Sequence, residues 1–171
     1  GEFDAAELFA DRVFSWQMAA QLAILLLGLV FMPAIIHVLA PGFADNPGQL
    51  ALTVSLARIT FPYLILTLVA VQLSAMLNAI EKFWAAAAWS NLLNLSMMMT
   101  LALAAFFPTA GHAAAWGVLL AGFLEFFLVG GDAARAGVLP RLCWPRIDAE
   151  VMLFLKRFWP ATIGSAGTQI A

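Results

Sequence analysis

Residues 13–40 read VFSWQMAAQLAILLLGLVFMPAIIHVLA, and this stretch decides the fold. No Asp, Glu, Lys or Arg stands between Arg12 and Asp45. A helix needs about 20 apolar residues to cross the hydrocarbon core of a bilayer, and this run is longer. Its Leu, Ala, Met and Phe show little period-2 alternation, which argues for a helix over a barrel strand. It ends at Pro41-Gly42, a helix-stopping pair.

Three more runs follow. One extends from Ile59 to Ile80, bounded by Arg58 and Glu81-Lys82; the next from Phe83 to Phe107, ahead of the turn Pro108–Gly111; the last from His112 to Gly131, ahead of Asp132 and Arg135. A further apolar helix opens at Phe158. The expected fold is therefore an all-α integral membrane protein: a polytopic helix bundle with four full crossings (13–40, 59–80, 83–107 and 112–131) and the start of a fifth (158–171). Residues 1–171 form one membrane region, with 132–157 as a loop.

Composition agrees: 64% of residues are apolar, 11% are charged, and mean hydropathy is +0.95. A soluble domain of this length would expose far too much apolar surface. The net charge of −2 supplies no basic field for nucleic acid, so lipids or lipid-like molecules are the first partners expected. Gly1–Arg12 is polar and acidic, unlike a signal peptide. Both ends read as cut, and the chain as an internal piece of a longer protein. A lone Cys143 excludes an internal disulfide framework, and His37 and His112 lack ligand-like spacing. No metal and no cofactor is expected. No nucleophile with its base, phosphate-binding glycine loop or paired-carboxylate site is present, so this stretch is not expected to be an enzyme.

Basic residues fix the direction. If loops alternate sides, Arg58 stands alone on one side, whereas Arg12, Lys82, Arg135, Arg141, Arg146, Lys156 and Arg157 share the other. The positive-inside rule then places 1–12 and 132–157 in the cytoplasm and Pro41–Arg58 and Pro108–Gly111 outside. Pro47–Ala57 is expected to lie partly along the outer interface. Trp16, Trp84, Trp144 and Trp159 fall near the inner surface and Trp116 near the outer, where aromatic anchors belong.

Polar side chains inside the crossings need partners that lipid does not offer. The second crossing carries Thr67, Gln72, Ser74 and Asn78, and the third carries Ser90, Asn91, Asn94 and Ser96, at i,i+3 and i,i+4 spacings that gather them on helix faces. Such faces should turn inward. Asn78, Asn91 and Asn94 are candidates for a hydrated substrate path; the alternative is interhelical hydrogen bonds that hold the bundle, worth roughly 0.6 to 2 kcal/mol each. Glu125 is the one ionisable residue deep inside a crossing. It must face a cavity, find a partner or stay protonated, and it joins the path candidates. Gly117 and Ala121 form a small-xxx-small packing pair. Pro33 and Pro62 are hinge candidates: the first should bend its helix, and the second sits in a first turn, where proline is tolerated.

Several stretches stand together in order: Ala40-Pro41-Gly42-Phe43-Ala44, Arg58-Ile59-Thr60-Phe61-Pro62-Tyr63, Leu77-Asn78-Ala79 with Lys82-Phe83, Asn91-Leu92-Leu93-Asn94-Leu95-Ser96, Gly137-Val138-Leu139-Pro140-Arg141, and Pro160-Ala161 with Gly164 and Ser165 to Gln169. In this order and spacing the chain resembles the MurJ (MviN) family of lipid II flippases, of the multidrug/oligosaccharidyl-lipid/polysaccharide exporter superfamily, over essentially its whole length. The resemblance implies a bacterial inner-membrane protein of fourteen helices in two lobes, of which this chain supplies helices three to six and the start of seven, part of the N-terminal lobe. It implies a polyprenyl-pyrophosphate lipid as substrate: undecaprenyl-pyrophosphate-linked peptidoglycan precursor, moved from the cytoplasmic to the periplasmic leaflet by alternating access. The family's main substrate-contacting arginines lie on helices outside this stretch. Glu125 stands where the family commonly has Gln. A flippase for another polyprenyl-linked glycan and a non-transporting scaffold for cell-wall synthesis are the alternatives, and arginines in the two preceding helices would separate a transporter from a scaffold.

Overall fold

Five helices carry the chain in a computed structural model that describes residues 2–43, 46–144, 152 and 156. They are α1 (Glu2–Leu39), α2 (Pro47–Thr60), α3 (Tyr63–Ala79), α4 (Trp84–Ala102) and α5 (Ala110–Ala136), with short 3₁₀ turns at Pro41–Phe43 and Ala104–Phe106. The expected fifth crossing at 158–171 and residues 145–151, 153–155 and 157 of the expected loop lie outside the described residues.

Three helical stretches are long and apolar enough to cross a membrane: Leu8–Leu39, Pro47–Ala79 and Ala110–Ala136. The chain is thus an all-α, multi-pass membrane bundle. The remaining expected crossing corresponds to α4. Its 19 residues reach about 28 Å at 1.5 Å per residue, close to the core thickness, but Asn91, Asn94, Ser96 and Thr100 make it less apolar than the other three.

Capping chemistry moves several expected boundaries. The second run begins at Pro47 rather than Ile59, because Asn46 accepts a hydrogen bond from the Gln49 amide (3.2 Å) and Pro47 suits the first helical position. Pro62, with no N–H to continue the ladder, then divides the run into α2 and α3, although Phe61 and Pro62 keep right-handed helical angles. Pro62 is therefore a joint inside a long helical stretch rather than part of a first turn at the membrane edge. Pro33, by contrast, lies within α1, which continues on both sides of it. α4 stops at Ala102, short of the expected Phe107. Phe107 precedes Pro108, which disfavours the helical region for it, and its backbone is extended. Thr109 caps α5 by accepting from the His112 amide at 3.2 Å. At its far end α5 outruns the expected Gly131 and closes at Gly137, whose φ of 73° only glycine adopts freely.

The chain divides into two compact units, Gly1–Ala20 with Pro140–Ala171 and Gln21–Leu139. In the first, Arg141 donates its amide to Asp11 Oδ1 (2.7 Å) and Cys143 donates its amide to Ser15 Oγ (2.9 Å), so the start of α1 holds the segment after Pro140. In the second, α5 is the central helix and packs against α4, α3 and α2. Contacts run in rising order: Leu56 against Gly111, Tyr63 and Leu66 against Gly122, Thr67 on Glu125, Leu73 towards Gly130. The α2–α3 stretch therefore runs parallel to α5, while α4, joined to α5 by a short connection, runs antiparallel.

Small residues make these approaches close. Ala113, Gly117 and Ala121, spaced i,i+4, are buried on one face of α5. A Cβ at Gly117 would overlap Thr100 Oγ1 and stand 3.0 Å from Met97 Cα, so α4 and α5 meet backbone to backbone. Lipid tails are as apolar as the helices, so this packing, not removal from water, is the main force holding them.

Candidate functional site

Glu125 is 2% exposed, the most enclosed ionisable side chain of the described residues. It sits on the face of α5 that meets α3. Gly122, one turn earlier, has no Cβ, and a Cβ there would come within 2.8 Å of the Tyr63 ring and 3.1 Å of Leu66 Cδ1. That gap lets the first turn of α3 close on α5. One turn on, Thr67 donates its hydroxyl to Glu125 Oε2 at 3.0 Å. A threonine and a carboxylate thus form a polar pair between two parallel helices, with the Tyr63 ring one turn before Thr67 on the face that meets α5. Of the three outcomes open to a carboxylate inside a crossing, Glu125 has found a partner.

The same faces carry polar groups two turns further on. Ser74 follows Thr67 by seven residues and Asp132 follows Glu125 by seven, which leaves each only about 20° from its predecessor around the helix. Both are 7% exposed, and Ser74 Oγ and Asp132 Oδ2 have no hydrogen-bond partner among the described residues. The matched spacing was readable in the sequence. Its meaning depends on α3 and α5 being parallel neighbours, which the sequence does not show.

The other path candidates are not gathered around Glu125. Asn78 is exposed in the last turn of α3, about 16 Å further along the helix than Thr67 at 1.5 Å per residue. Asn91 and Asn94 are exposed on α4, whereas Ser96 and Thr100, on its α5-facing side, are buried. Within this chain the asparagine face of α4 turns away from α5, because Gly117 admits the Ser96–Thr100 side. Thr100 satisfies its hydroxyl on the carbonyls of Ser96 (3.1 Å) and Met97 (3.2 Å).

An open cavity of about 610 Å³ lies at the corner where α2 meets α3, lined by Val54, Arg58, Ile59, Pro62, Trp116 and Leu119 among others. It does not include Glu125. Among the described residues no cluster of His, Cys, Asp and Glu could hold a metal ion.

A family model described as Lipid II flippase MurJ matches residues 2–171. A protein of Rhizobium tropici named probable lipid II flippase MurJ is 36% identical over 172 residues, covering 98% of this chain and 32% of the relative. One of Rhizobium meliloti (strain 1021) with the same name is 33% identical, covering 98% and 32%. A third, of Rickettsia prowazekii (strain Madrid E), is 28% identical, covering 97% and 33%. The chain spans about a third of the length of these curated relatives. With a helical membrane bundle on one side and a match along nearly its whole length on the other, the chain belongs to the lipid II flippase MurJ family.

Proposed function

We propose that this chain is part of the N-terminal lobe of a flippase that moves undecaprenyl-pyrophosphate-linked peptidoglycan precursor from the cytoplasmic to the periplasmic leaflet of the bacterial inner membrane. The observation that carries this reading is the family match from residue 2 to 171, with relatives named for lipid II flipping. Alternating access moves two bodies about a central site, and this chain contributes helices to one of them. Its role is transport, with no chemical step on the substrate. The seven-to-one distribution of basic residues supports cytoplasmic 1–12 and 132–157.

Glu125, held by Thr67, is the substrate-path residue best supported here, because its carboxylate is costly inside a membrane and is nevertheless kept in a built polar pair. Asn78, Asn91 and Asn94 line the path only where helices beyond this chain cover them. Pro62, dividing α2 from α3, is the better placed of the two hinges. The test is complementation in cells depleted of their own lipid II flippase, using the full-length protein, paired with leaflet-resolved detection of lipid II. Growth with restored lipid II at the outer leaflet is expected. Growth without any change in lipid II distribution would point to a different polyprenyl-linked cargo, and neither would point to a scaffold.

A further inference from the structure

In an α-helix the amide of residue i serves the carbonyl of residue i−4. Pro33 has no amide hydrogen, so the Leu29 carbonyl loses its partner within α1. In water such a carbonyl is solvated, but near the membrane it must be served by the protein. The side chain that reaches it comes from 29 residues further along: Arg58 Nε, on α2, donates to the Leu29 oxygen at 3.3 Å.

A second contact supports the same meeting of helices. A Cβ at Gly28, next to Leu29, would overlap the Phe61 ring at Cε1 and Cζ. Arg58 and Phe61 are spaced i,i+3 and so share a face, as Gly28 and Leu29 adjoin on α1. Gln21, Gly28 and Met32 form the buried stripe of this part of α1, while Leu26, Leu27, Val30 and Phe31 are exposed. The contact stripe thus passes through the residues that Arg58 and Phe61 touch.

We propose that Arg58 is a positioning residue that clasps α1 by supplying the hydrogen bond Pro33 removes, with Phe61 seated on Gly28 as the other half of the joint. The bond uses one of five guanidinium N–H groups, so the charge stays available at the wall of the cavity that Arg58 lines. The joint is specific to a proline at 33: any other residue there returns an amide to Leu29 and makes the arginine redundant for this purpose. The inference rests on geometry within residues 21–139 and stands apart from the transported molecule.

The experiment is a double-mutant cycle in the full-length protein, purified in detergent and followed by thermal unfolding, with accumulation in the membrane as a second readout. Arg58→Leu removes the donors and keeps an apolar stem; Pro33→Ala restores the amide. Arg58→Leu alone is expected to lower the unfolding midpoint by about 1–3 °C, and in the Pro33→Ala background to lower it by less than half as much. Should Arg58→Leu fail to accumulate, the double variant is expected to accumulate. An equal loss in both backgrounds, no loss in either, or failure of the double variant to accumulate would each overturn the clasp. Because the readout is stability, it stays informative even where the flippase reading fails in complementation.

Discussion

Thr67 donating to Glu125 across two parallel helices allows charge and hydrogen-bonding capacity to be separated by substitution. Gln at 125 keeps an acceptor for Thr67 and drops the carboxylate, so it should keep most activity in the full-length protein. Leu at 125 removes both and leaves the Thr67 hydroxyl without its acceptor, at a cost of about 1–3 kcal/mol; paired with Thr67→Val, so that both partners are apolar, its thermal midpoint should match that of the parent. Its activity in flippase-depleted cells should nonetheless fall several-fold. Full growth with Leu would reduce Glu125 to a tolerated accident of packing. The candidacy of Glu125 was legible from one carboxylate in an apolar run. Its partner was not, because a hydrogen bond spanning 58 residues depends on which helices become neighbours. Asp132, taken from the sequence as the edge of a crossing, proves buried for the same reason: α5 runs five residues beyond the expected Gly131, to Ala136.

The helices test the packing and capping arguments. α3 and α5 end alike: Lys82 donates its amide to Leu77 and Glu81 to Asn78, as Val138 does to Ala133 and Gly137 to Ala134. The left-handed position is Gly137 in one case and Glu81, at φ 62°, in the other. A non-glycine residue there costs about 1–2 kcal/mol, so Glu81→Gly should raise the thermal midpoint, and Gly137→Ala should lower it by a similar amount. At the α4–α5 crossing, Gly117→Val should be far worse, since its first new atom meets the backbone at Met97 as well as Thr100; overpacking of this kind typically costs about 1–3 kcal/mol or more. A Gly117→Val protein with unchanged stability would show that the two helices can separate at little cost. Crossings were legible as elements because each is a long apolar run. Their ends were less so, since Asn46-Pro47 and Pro108-Thr109 act through local hydrogen bonds and dihedral limits that hydropathy does not register.

Across the whole molecule, the orientation inferred from basic residues is open to cysteine labelling. In a background with Cys143 replaced, Gly48→Cys, exposed near the start of α2, should react with an impermeant maleimide from the periplasm. Ala149→Cys in that background, and Cys143 in the unaltered protein, should react only after permeabilisation. The reverse pattern would invert every crossing. The central place of α5 also bears on how the chain is made. Synthesis is vectorial, and α3 and α4 touch each other little compared with what each shares with α5. A ribosome that has finished α4 has therefore delivered helices whose common partner is not yet built, so the second unit must wait in the membrane as loosely associated hairpins until residue 136 has emerged. Nascent chains arrested before Gly111 should be cleared rapidly by membrane quality-control proteases, and chains arrested well past Gly137 should persist, as a pulse-chase of the two sets would reveal.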